Sequence, residues 1–430
     1  MTIILVFLTM IALMLLYVPI SVTVGLAMVV GLLIEAQFPL MTFVQRMHDG
    51  LNSFTLLAIP MFMLTGRIMA LGGVTDDLIK LSKALVGFLR GGLGYVNIVA
   101  SMFFAGITGS CSSDTASIGA ILIPAMVKEG YDREFSVAVT CTSSVIGIII
   151  PPSIPMVLYA SIGNVSLPRL LFGGFVPGII FAVSLMAVTF VFAKKRNYPV
   201  SILMKPKEIV LSIVKGIPAL MTIVILLGGI MSGIFTPTEA ASVAVLYALM
   251  LGMFYYREIK VKNLPQILMD VAISTGMITL LIATATCLGY LFATQNLPKT
   301  ISALILSLSN NRYIVLMLIN VVLLFIGMWM DLGAALIIFA PIFMPLAVAL
   351  GIDPVHFGLI MVVNLGIGVV TPPVGGCLFL ACAIGQISIT KVIRTLLPFI
   401  LSMIVALLII TYIPQTVLFV PDFLFGPAAK

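Results

Sequence analysis

Charged residues are scarce in this sequence, and their scarcity identifies the solvent in which the chain folds. Lysine, arginine, aspartate and glutamate make up 9% of the 430 residues, whereas soluble domains carry about 25%. Hydrophobic residues make up 61%, and the mean hydropathy is +1.27. These values exclude a soluble globular domain. We predict an all-α protein that crosses a lipid bilayer several times.

Features that would indicate an enzyme are also missing. No glycine is followed by lysine, so the chain has no P-loop for ATP. The two histidines, His48 and His356, flank charged loops and are expected at the surface, which argues against a Ser-His hydrolase. The five cysteines form no Cys-x-x-Cys pair and lie in apolar segments, where we expect them to pack as small residues without a disulfide framework or metal cluster. The sequence predicts neither an enzyme nor a bound cofactor.

Long uncharged runs are what the sequence does contain. Four of them are Ile3–Ile34, Leu170–Phe192, Gly216–Phe235 and Thr395–Val420. Each is long enough to cross a hydrocarbon core of about 30 Å, which takes about 20 residues. The first run lacks a basic start and is too long for a signal peptide, so we expect it to be retained, with a break at Pro19.

The net charge of +7 comes from basic residues in short loops, which indicate orientation in a membrane and not nucleic-acid binding. The clearest basic segment, 194–207, is therefore predicted to be a cytoplasmic linker. It divides the chain into a first half, 1–193, and a second half, 208–430. Segment 74–91 is amphipathic and is predicted to be a helix at the membrane interface.

The two halves contain an internal repeat of glycine, aspartate and proline. Asp114 and Pro124 match Asp331 and Pro341 at an offset of 217 (331 − 114), while other pairs match at 221 (351 − 130). A four-residue insertion would reconcile the two offsets. The pairs at 221 are Gly130 with Gly351, Asp132 with Asp353, Gly147 with Gly368, Pro151 with Pro372, and Pro152 with Pro373.

Each half therefore has a polar break near its aspartate and a second break at a proline pair. Two consecutive prolines cannot continue a helix, so the carbonyls before them lack helical partners. Inside a bilayer such groups must face protein or a water-filled cavity, as at the binding sites of transporters with broken helices. Oxygen ligands of this kind suit a hard monovalent cation, and we predict the following cation ligands: Ser110, Ser112, Ser113, Asp114, Gly147, Pro151, Gly327, Asp331, Gly368, Thr371 and Pro372.

Other interpretations of these residues are possible from the sequence. Asp114 would have a structural role if it capped a helix over 115–123. Arg67 either meets an anionic substrate or extends to the membrane interface, and Ser153 and Thr371 are predicted substrate contacts beside the proline breaks. An aspartyl protease would need Asp114 and Asp331 to share a proton at about 3 Å, and a passive channel is a further alternative.

The sequence resembles the large membrane subunit of the tripartite ATP-independent periplasmic (TRAP) transporters over essentially its whole length. Five segments carry the resemblance, and Cys111-Ser112-Ser113 is one departure from the family pattern. They are 56–62 (Leu-Leu-Ala-Ile-Pro-Met-Phe), the serine-rich segment 109–119, 233–241 (Gly-Ile-Phe-Thr-Pro-Thr-Glu-Ala-Ala), and the two Pro-Pro segments.

The resemblance implies an elevator-type carrier made of two inverted repeats. Re-entrant hairpins are expected near 95–127 and 315–348, facing broken helices at 151–152 and 372–373. It also implies a small four-helix membrane subunit, a periplasmic binding protein and a bacterial inner membrane. The expected function is sodium-coupled uptake of sialic acid or a C4-dicarboxylate, with the sialic-acid type favoured by overall resemblance. A stand-alone Na⁺- or H⁺-coupled carboxylate symporter is the alternative.

Overall fold

The fold is a bundle of α-helices. The computed structural model describes residues 2–16, 18–35, 39–200, 205–308 and 311–427. Within these ranges, the only β-type pairing is a single bridge between Arg90 and Val200. The helices are α1 Thr2–Leu15, α2 Ile20–Glu35, α3 Leu40–Leu51, α4 Ala58–Leu71, α5 Val74–Val86, α6 Gly92–Thr108, α7 Cys111–Lys128, α8 Arg133–Ser143, α9 Ile154–Gly163, α10 Leu167–Gly173, α11 Phe175–Lys195, α12 Pro206–Met231, α13 Pro237–Met250, α14 Leu264–Thr294, α15 Leu297–Leu308, α16 Arg312–Gly327, α17 Leu332–Ala349, α18 Pro354–Val369, α19 Gly376–Gly385, α20 Ile389–Tyr412 and α21 Gln415–Phe425.

Seven helical segments in the described part of the chain are long and apolar enough to cross a membrane. Several others are shorter apolar helices, which is what broken helices and hairpins produce. The first apolar run is divided at Pro19 into α1 and α2, which pack against each other. The seven segments are Phe54–Leu71, Leu167–Lys195, Pro206–Met231, Pro237–Tyr255, Val261–Thr294, Leu332–Ala349 and Ile389–Tyr412.

Two structural units of the same design lie in the two halves. In each, a helical hairpin is followed by a helix that is interrupted before it resumes. The first unit comprises the hairpin α6–α7 and the interrupted helix α8–α9, and the second comprises α16–α17 and α18–α19. The fold class predicted from the sequence is confirmed: the chain is an all-α membrane protein with repeated hairpins and broken helices.

The register of the repeat differs from the predicted one. Helices α7 and α17 are offset by 221 residues at both ends (332 − 111 and 349 − 128), and α8 and α18 by 221 at their starts (354 − 133). The predicted four-residue insertion is therefore wrong. Pro124 matches Pro345, and Asp114 matches Ala335 and not Asp331. The error arose because aspartate and proline occur near the expected spacing by coincidence.

The two units exchange contacts reciprocally. Helix α7 of the first hairpin packs against α19 of the second unit, and α17 of the second hairpin packs against α9 of the first. A two-fold axis that relates the two units produces this pattern. If α7 contacts α19, the axis makes α17, the counterpart of α7, contact α9, the counterpart of α19. The two interrupted helices also contact each other just before their breaks. A methyl group added at Gly366 of the second unit would lie 3.2 Å from Val145 Cγ1 and 3.5 Å from Ile148 Cγ1 of the first unit.

The remaining helices form a second group beside the two units. Helix α14 packs against α2, α3 and α4, and α13 packs against α4 and α12. The segment Thr236–Glu239 begins α13 with a capping box: the Thr236 hydroxyl accepts from the Glu239 amide, and Glu239 accepts from the Thr236 amide at 2.8 Å. Glu239 therefore has a structural role at the start of α13.

The end of the first half is fixed by one polar cluster. Asp132, at the start of α8, accepts hydrogen bonds from Arg196 and from the Tyr198 hydroxyl, both at 2.6 Å. Partial burial would raise the pKa of Asp132, but these hydrogen bonds and the charge of Arg196 outweigh it and lower the pKa below its usual value. Part of the basic linker therefore anchors the base of the first hairpin, while residues 201–204 of that linker lie outside the described residues.

Candidate cation and substrate site

The tip of the first hairpin lies against the break in the helix that follows it. We call residues 109–110 the first tip and residues 149–153 the first break. Gly109 has a left-handed φ of +61°, and a methyl group there would lie 2.6 Å from the Pro152 carbonyl oxygen. The Ile154 amide donates to the Gly109 carbonyl at 3.3 Å. Only glycine permits this approach of two backbones.

Asp114 lies directly behind the first tip and is completely buried. Neither of its carboxylate oxygens accepts a well-formed hydrogen bond from the described residues, and the Ser101 hydroxyl is a neighbouring polar group. It does not cap its helix, because α7 begins at Cys111 and Ser110 is the capping residue. The capping alternative predicted from the sequence is therefore wrong. A buried carboxylate without a partner carries a large desolvation cost, so it requires a cation or a proton.

The surroundings of Asp114 supply neutral oxygen atoms. A methyl group added at Gly147 would lie 3.6 Å from Asp114 Cβ and 3.4 Å from the Ser110 carbonyl oxygen, so this stretch of backbone faces the carboxylate. A buried chain of hydrogen bonds lies nearby: Asn97 donates to Thr140 at 2.6 Å, Ser143 to Asn97 at 3.0 Å, and Ser101 to Ser143 at 3.0 Å. Carboxylate, carbonyl and hydroxyl oxygens are the ligands of hard cations.

The second hairpin contacts its interrupted helix even more closely. We call residues 328–331 the second tip and residues 370–375 the second break. A methyl group added at Gly368 would lie 2.5 Å from Gly327 Cα, and the Val374 amide donates to the Met328 carbonyl at 3.3 Å. Asp331 is exposed here and accepts from the Gly333 amide at 2.9 Å as the cap of α17.

A pair of buried asparagines lies behind the second tip. Asn364 donates to the side-chain oxygen of Asn320 at 2.8 Å, and Asn320 donates to Thr411 at 3.0 Å. The side-chain oxygen of Asn364 is buried and has no hydrogen-bond partner. Asn364 matches Ser143 of the first unit (364 − 143 = 221), so the two units place polar pairs at related positions. The first unit differs in adding a carboxylate.

Both tips, and the residues that immediately flank each break, border one central cavity of about 310 Å³. This volume lies at the lower end of the range for small-molecule sites, about 300–1,000 Å³. The cavity wall combines hydroxyls and one carboxylate with apolar side chains. It includes Ser110, Ser112, Ile148, Ile154, Asp331, Val369 and Gly376.

A second cavity of about 590 Å³ adjoins the first, sharing Met63, Ser110, Ser112 and Ile154 with it. Among the described residues that line either cavity, Arg67 is the one cationic side chain. It forms an ion pair with Asp270 of α14 at 2.6 Å, and both side chains are partly exposed.

The predicted site residues fall into three groups: those at the two hairpin tips, those in the broken helices away from both cavities, and those that hydrogen-bond their own backbone. Ser110, Ser112, Ser113, Asp114 and Gly147 gather at the first tip and its break, and Asp331 and Gly327 lie at the second tip. Pro151, Gly368 and Pro372 belong to the two broken helices without bordering either cavity. Ser153 and Thr371 face their own backbones, donating to Ile148 and Ile367 at 2.6 and 2.7 Å.

Sequence reasoning missed several polar residues of this region. Asn320 and Asn364 stand singly in apolar helices, and their isolation was the available signal. Ser143 and Ser144 were signalled instead by the polar run 140–144 (Thr-Cys-Thr-Ser-Ser) just before the first break. His356 was also misplaced: it is 2% exposed, and its ring nitrogen bonds the Ile410 carbonyl at 2.8 Å. It lies inside because α18 starts only two residues earlier, at Pro354, and turns it toward α20.

Comparison with known proteins agrees with this architecture. Three relatives align with most of this chain. They are an uncharacterized protein, YgiK, of Salmonella typhimurium (42% identity, 96% of this chain, 95% of the relative), the C4-dicarboxylate TRAP transporter large permease protein DctM of Pseudomonas aeruginosa (39%, 88%, 89%), and the sialic acid TRAP transporter large permease protein SiaM of Vibrio cholerae (37%, 89%, 90%).

A solved structure, that of the YdaH transporter of Alcanivorax borkumensis, shares the fold. Its TM-score is 0.64 at 15% identity, with 86% of each chain covered. The profile of the DctM component of the tripartite ATP-independent periplasmic transporters matches residues 7–416. This match spans nearly the whole chain and both repeat units. The chain therefore belongs to the DctM component family of the tripartite ATP-independent periplasmic transporters.

Proposed function

We propose that this chain is the large membrane subunit of a sodium-coupled importer of a small organic acid in a bacterial inner membrane. A small four-helix membrane subunit and a periplasmic binding protein that delivers the substrate would complete the transporter. The observation that carries the proposal is Asp114, a buried carboxylate that accepts no well-formed hydrogen bond from the described residues, placed beside a cavity that both units border. A coupling cation at this carboxylate would neutralise its charge.

Sodium fits the first tip better than a softer or a divalent metal ion does. The donors near Asp114 are oxygen atoms, and the described residues contain no group of three or more His, Cys, Asp or Glu side chains that could hold a metal ion. One carboxylate with neutral oxygens matches a single positive charge. Asp114, the Ser110 carbonyl and the backbone near Gly147 would hold the ion, and the first tip would close over it.

A second sodium ion would bind at the second tip, but more weakly. Asp331 is exposed and already engaged as a cap, and the position that matches Asp114 is Ala335. Backbone carbonyls near Gly327 and Gly368 would be the main donors there. The two ion sites are therefore inequivalent, because only the first has a buried charge of its own.

The substrate would bind in the central cavity between the two ion sites. Sialic acid and C4-dicarboxylates are both candidates, since relatives of similar identity are named for each. A compact dicarboxylate matches the central cavity alone, whereas a larger acid would extend into the second cavity toward Arg67. In the elevator motion that we propose, the two repeat units would move together against the helices around α13 and α14.

The driving force is sufficient without ATP. If two Na⁺ enter with one monoanion, one net positive charge moves inward, which is worth about 2.3 kcal/mol per 100 mV. A tenfold sodium gradient adds about 1.4 kcal/mol for each ion. The total of about 5 kcal/mol would support an accumulation of several thousandfold.

Uptake into liposomes tests the proposal. The chain, its small partner subunit and the binding protein would be supplied with labelled succinate or N-acetylneuraminic acid. We expect uptake of one of the two to require an inward Na⁺ gradient and to rise sigmoidally with Na⁺ concentration. Uptake that persists when choline replaces Na⁺ under a proton gradient would contradict sodium coupling. Equal uptake without the binding protein would favour the stand-alone symporter.

The ion pair of Arg67 and Asp270 gives a second prediction. An exposed ion pair of this kind contributes at most about 1 kcal/mol to stability. If Arg67 binds the substrate carboxylate, Arg67→Ala should lower uptake at least tenfold, whereas Asp270→Ala should free Arg67 and lower KM. Both substitutions break the ion pair. If the pair only links α4 to α14, the two variants should lose the same amount of uptake.

A further inference from the structure

A small pocket lies at the base of the second unit, the end of the hairpin away from its tip. We call it the base pocket. Its volume is about 130 Å³, and it shares no lining residue with the central cavity. Its wall is formed by the starts of α16 and α18, the end of α20 and the start of α21, and it includes Arg312, Asp353, His356 and Tyr412. The base pocket is therefore separate from the substrate cavity.

The wall of the base pocket repeats a wall in the first unit. Helices α8 and α18 each begin directly after an aspartate, and their starts are 221 residues apart (354 − 133). At this offset, three residues of the pocket have counterparts at the base of the first unit. They are Ile352 with Tyr131, Asp353 with Asp132, and His356 with Phe135.

In the first unit, a tyrosine of the basic linker fills the corresponding space. The Tyr198 ring is buried, with its centroid 4.6 Å from that of Tyr131 and 4.9 Å from that of Phe135. Its hydroxyl donates to Asp132 Oδ2 at 2.6 Å. The carboxylate at the base of the first unit is thus satisfied by a segment that lies outside the hairpin and the interrupted helix.

The second unit lacks such a side chain among the residues that the structure describes. Asp353 caps α18 through Oδ1, which accepts from the amides of Val355 and His356 at 2.7 and 3.3 Å, and within the described chain Oδ2 receives no hydrogen bond. Pro414 and Leu418, which follow α20, line the pocket but carry no side-chain donor. The pocket combines a free acceptor with a volume close to the cavity of about 150 Å³ that holds benzene.

The charge at the mouth of the base pocket favours a neutral donor. Arg312 is exposed there, with its guanidinium 4.9 Å above the Tyr313 ring. A second cation would be repelled by Arg312, because like charges placed together are costly. A phenolic hydroxyl would satisfy Asp353 without adding charge. The first unit places both an arginine and a tyrosine at its aspartate, and the second unit already has an arginine at this mouth.

The base pocket lies at the opposite membrane face from the basic linker. Helix α20 connects the two places: Thr395, near its start, accepts from Arg196 of the linker at 3.2 Å, and Tyr412, at its end, lines the pocket. Its 24 residues extend about 36 Å, enough to cross a hydrocarbon core of about 30 Å. With the linker in the cytoplasm, the pocket opens to the periplasm.

We propose that the base pocket is a docking site for a tyrosine side chain of the periplasmic binding protein. The tyrosine hydroxyl donates to Asp353 Oδ2, and the ring lies between Ile352 and His356, as the Tyr198 ring lies between their counterparts. The contact holds the binding protein at the base of the second unit. This inference rests on the proposed function, which supplies the binding protein.

Affinity of the purified binding protein for the full transporter in nanodiscs tests the docking site. Asp353→Ser keeps a good capping residue and removes the free acceptor, so the Kd should rise at least tenfold. Leu418→Trp would fill the pocket and should raise the Kd equally, whereas Leu418→Met, of similar volume, should leave it unchanged. Thermal unfolding would verify that each variant is folded. An unchanged Kd in folded Asp353→Ser and Leu418→Trp would overturn the proposal.

Photocross-linking identifies the occupant. With p-benzoylphenylalanine in place of Arg312, we expect a cross-link to a segment of the binding protein that contains a surface tyrosine. The same probe in place of Lys260, in a loop at the other membrane face, should give none. Changing that tyrosine to phenylalanine should raise the Kd as Asp353→Ser does, and the two changes together should add little. A cross-link only to lipid, to the small membrane subunit or to a segment without tyrosine would overturn the proposal.

Uptake in liposomes separates this inference from the proposed function. With labelled succinate or N-acetylneuraminic acid, Asp353→Ser should raise the binding-protein concentration for half-maximal uptake at least tenfold. If uptake depends on the binding protein but Asp353→Ser leaves that concentration unchanged, the docking site is wrong and the proposed function stands. If the binding protein docks in the pocket and neither acid is taken up, the proposed substrates fail while the docking site stands.

Discussion

Replacing Asp114 by asparagine is expected to abolish sodium-dependent uptake without destabilising the sodium-free protein. The carboxylate is buried, accepts no well-formed hydrogen bond and forms no ion pair among the described residues, so the neighbouring Ser101 hydroxyl compensates its charge only in part. Interactions with a charged group contribute about 1.5–3 kcal/mol, so the Kd for Na⁺ should rise roughly 10- to 150-fold. Isothermal calorimetry with Na⁺ and initial uptake rates would measure the two effects.

The direction of the stability change separates this role from a structural one. Removing an uncompensated buried charge relieves a desolvation cost, so the sodium-free unfolding temperature should stay the same or rise. Added Na⁺ should stabilise the unaltered chain and not the Asp114→Asn variant. Asp331→Asn is the matched control, because asparagine also caps helices and the residue is exposed, so its effect should be small. A drop in sodium-free stability with normal sodium binding would rule out the ion-binding role.

Replacing Gly368 by alanine is expected to prevent the second unit from packing correctly. The added methyl group would lie 2.5 Å from Gly327 Cα, and neither backbone can move without separating the second tip from its helix. Overpacking of a core costs about 1–3 kcal/mol and occasionally more, and a contact between two backbones belongs at the upper end. We expect a large loss of folded protein, measured by size-exclusion chromatography and thermal unfolding in detergent.

Two other glycines provide controls for this prediction. Gly376→Ala should be tolerated, because its methyl group would meet nothing within 4 Å. Gly147 is the repeat counterpart of Gly368 (368 − 147 = 221), yet a methyl group there would lie at the ordinary contact distance of 3.4 Å from the Ser110 carbonyl oxygen. Gly147→Ala should therefore fold. Normal folding of Gly368→Ala would show that the close approach of the second tip and its helix is not required.

Much of the fold could be predicted from the sequence because bilayer physics restricts it. Uncharged runs predict spanning helices, and Pro151 and Pro372 predict breaks, since proline cannot continue a helix. The residue-by-residue correspondence between the two units was harder to predict. Asp114 and Asp331 are chemically alike, but the structure pairs Asp114 with Ala335 and Asp331 with Ser110, since helix ends and not residue types define the repeat.

Side-chain roles within the site were the least predictable. A serine beside a broken helix can face the cavity or its own backbone, and sequence does not distinguish the two. Ser112 borders the cavity, whereas Ser153 bonds the Ile148 carbonyl and caps α9. The partner of Arg67 was also hidden, because Asp270 lies 203 residues away on another helix.

The reciprocal packing of the two units has a consequence for synthesis of the chain. The surface of α7 that packs against α19 stays uncovered until 248 further residues (376 − 128) have been synthesised. At a translation rate of about 5–20 residues per second, this interval lasts roughly 12–50 seconds. During that time the first hairpin stands in the membrane with its partner surface uncovered. A membrane insertase or chaperone would therefore be most needed while only the first half of the chain has been synthesised.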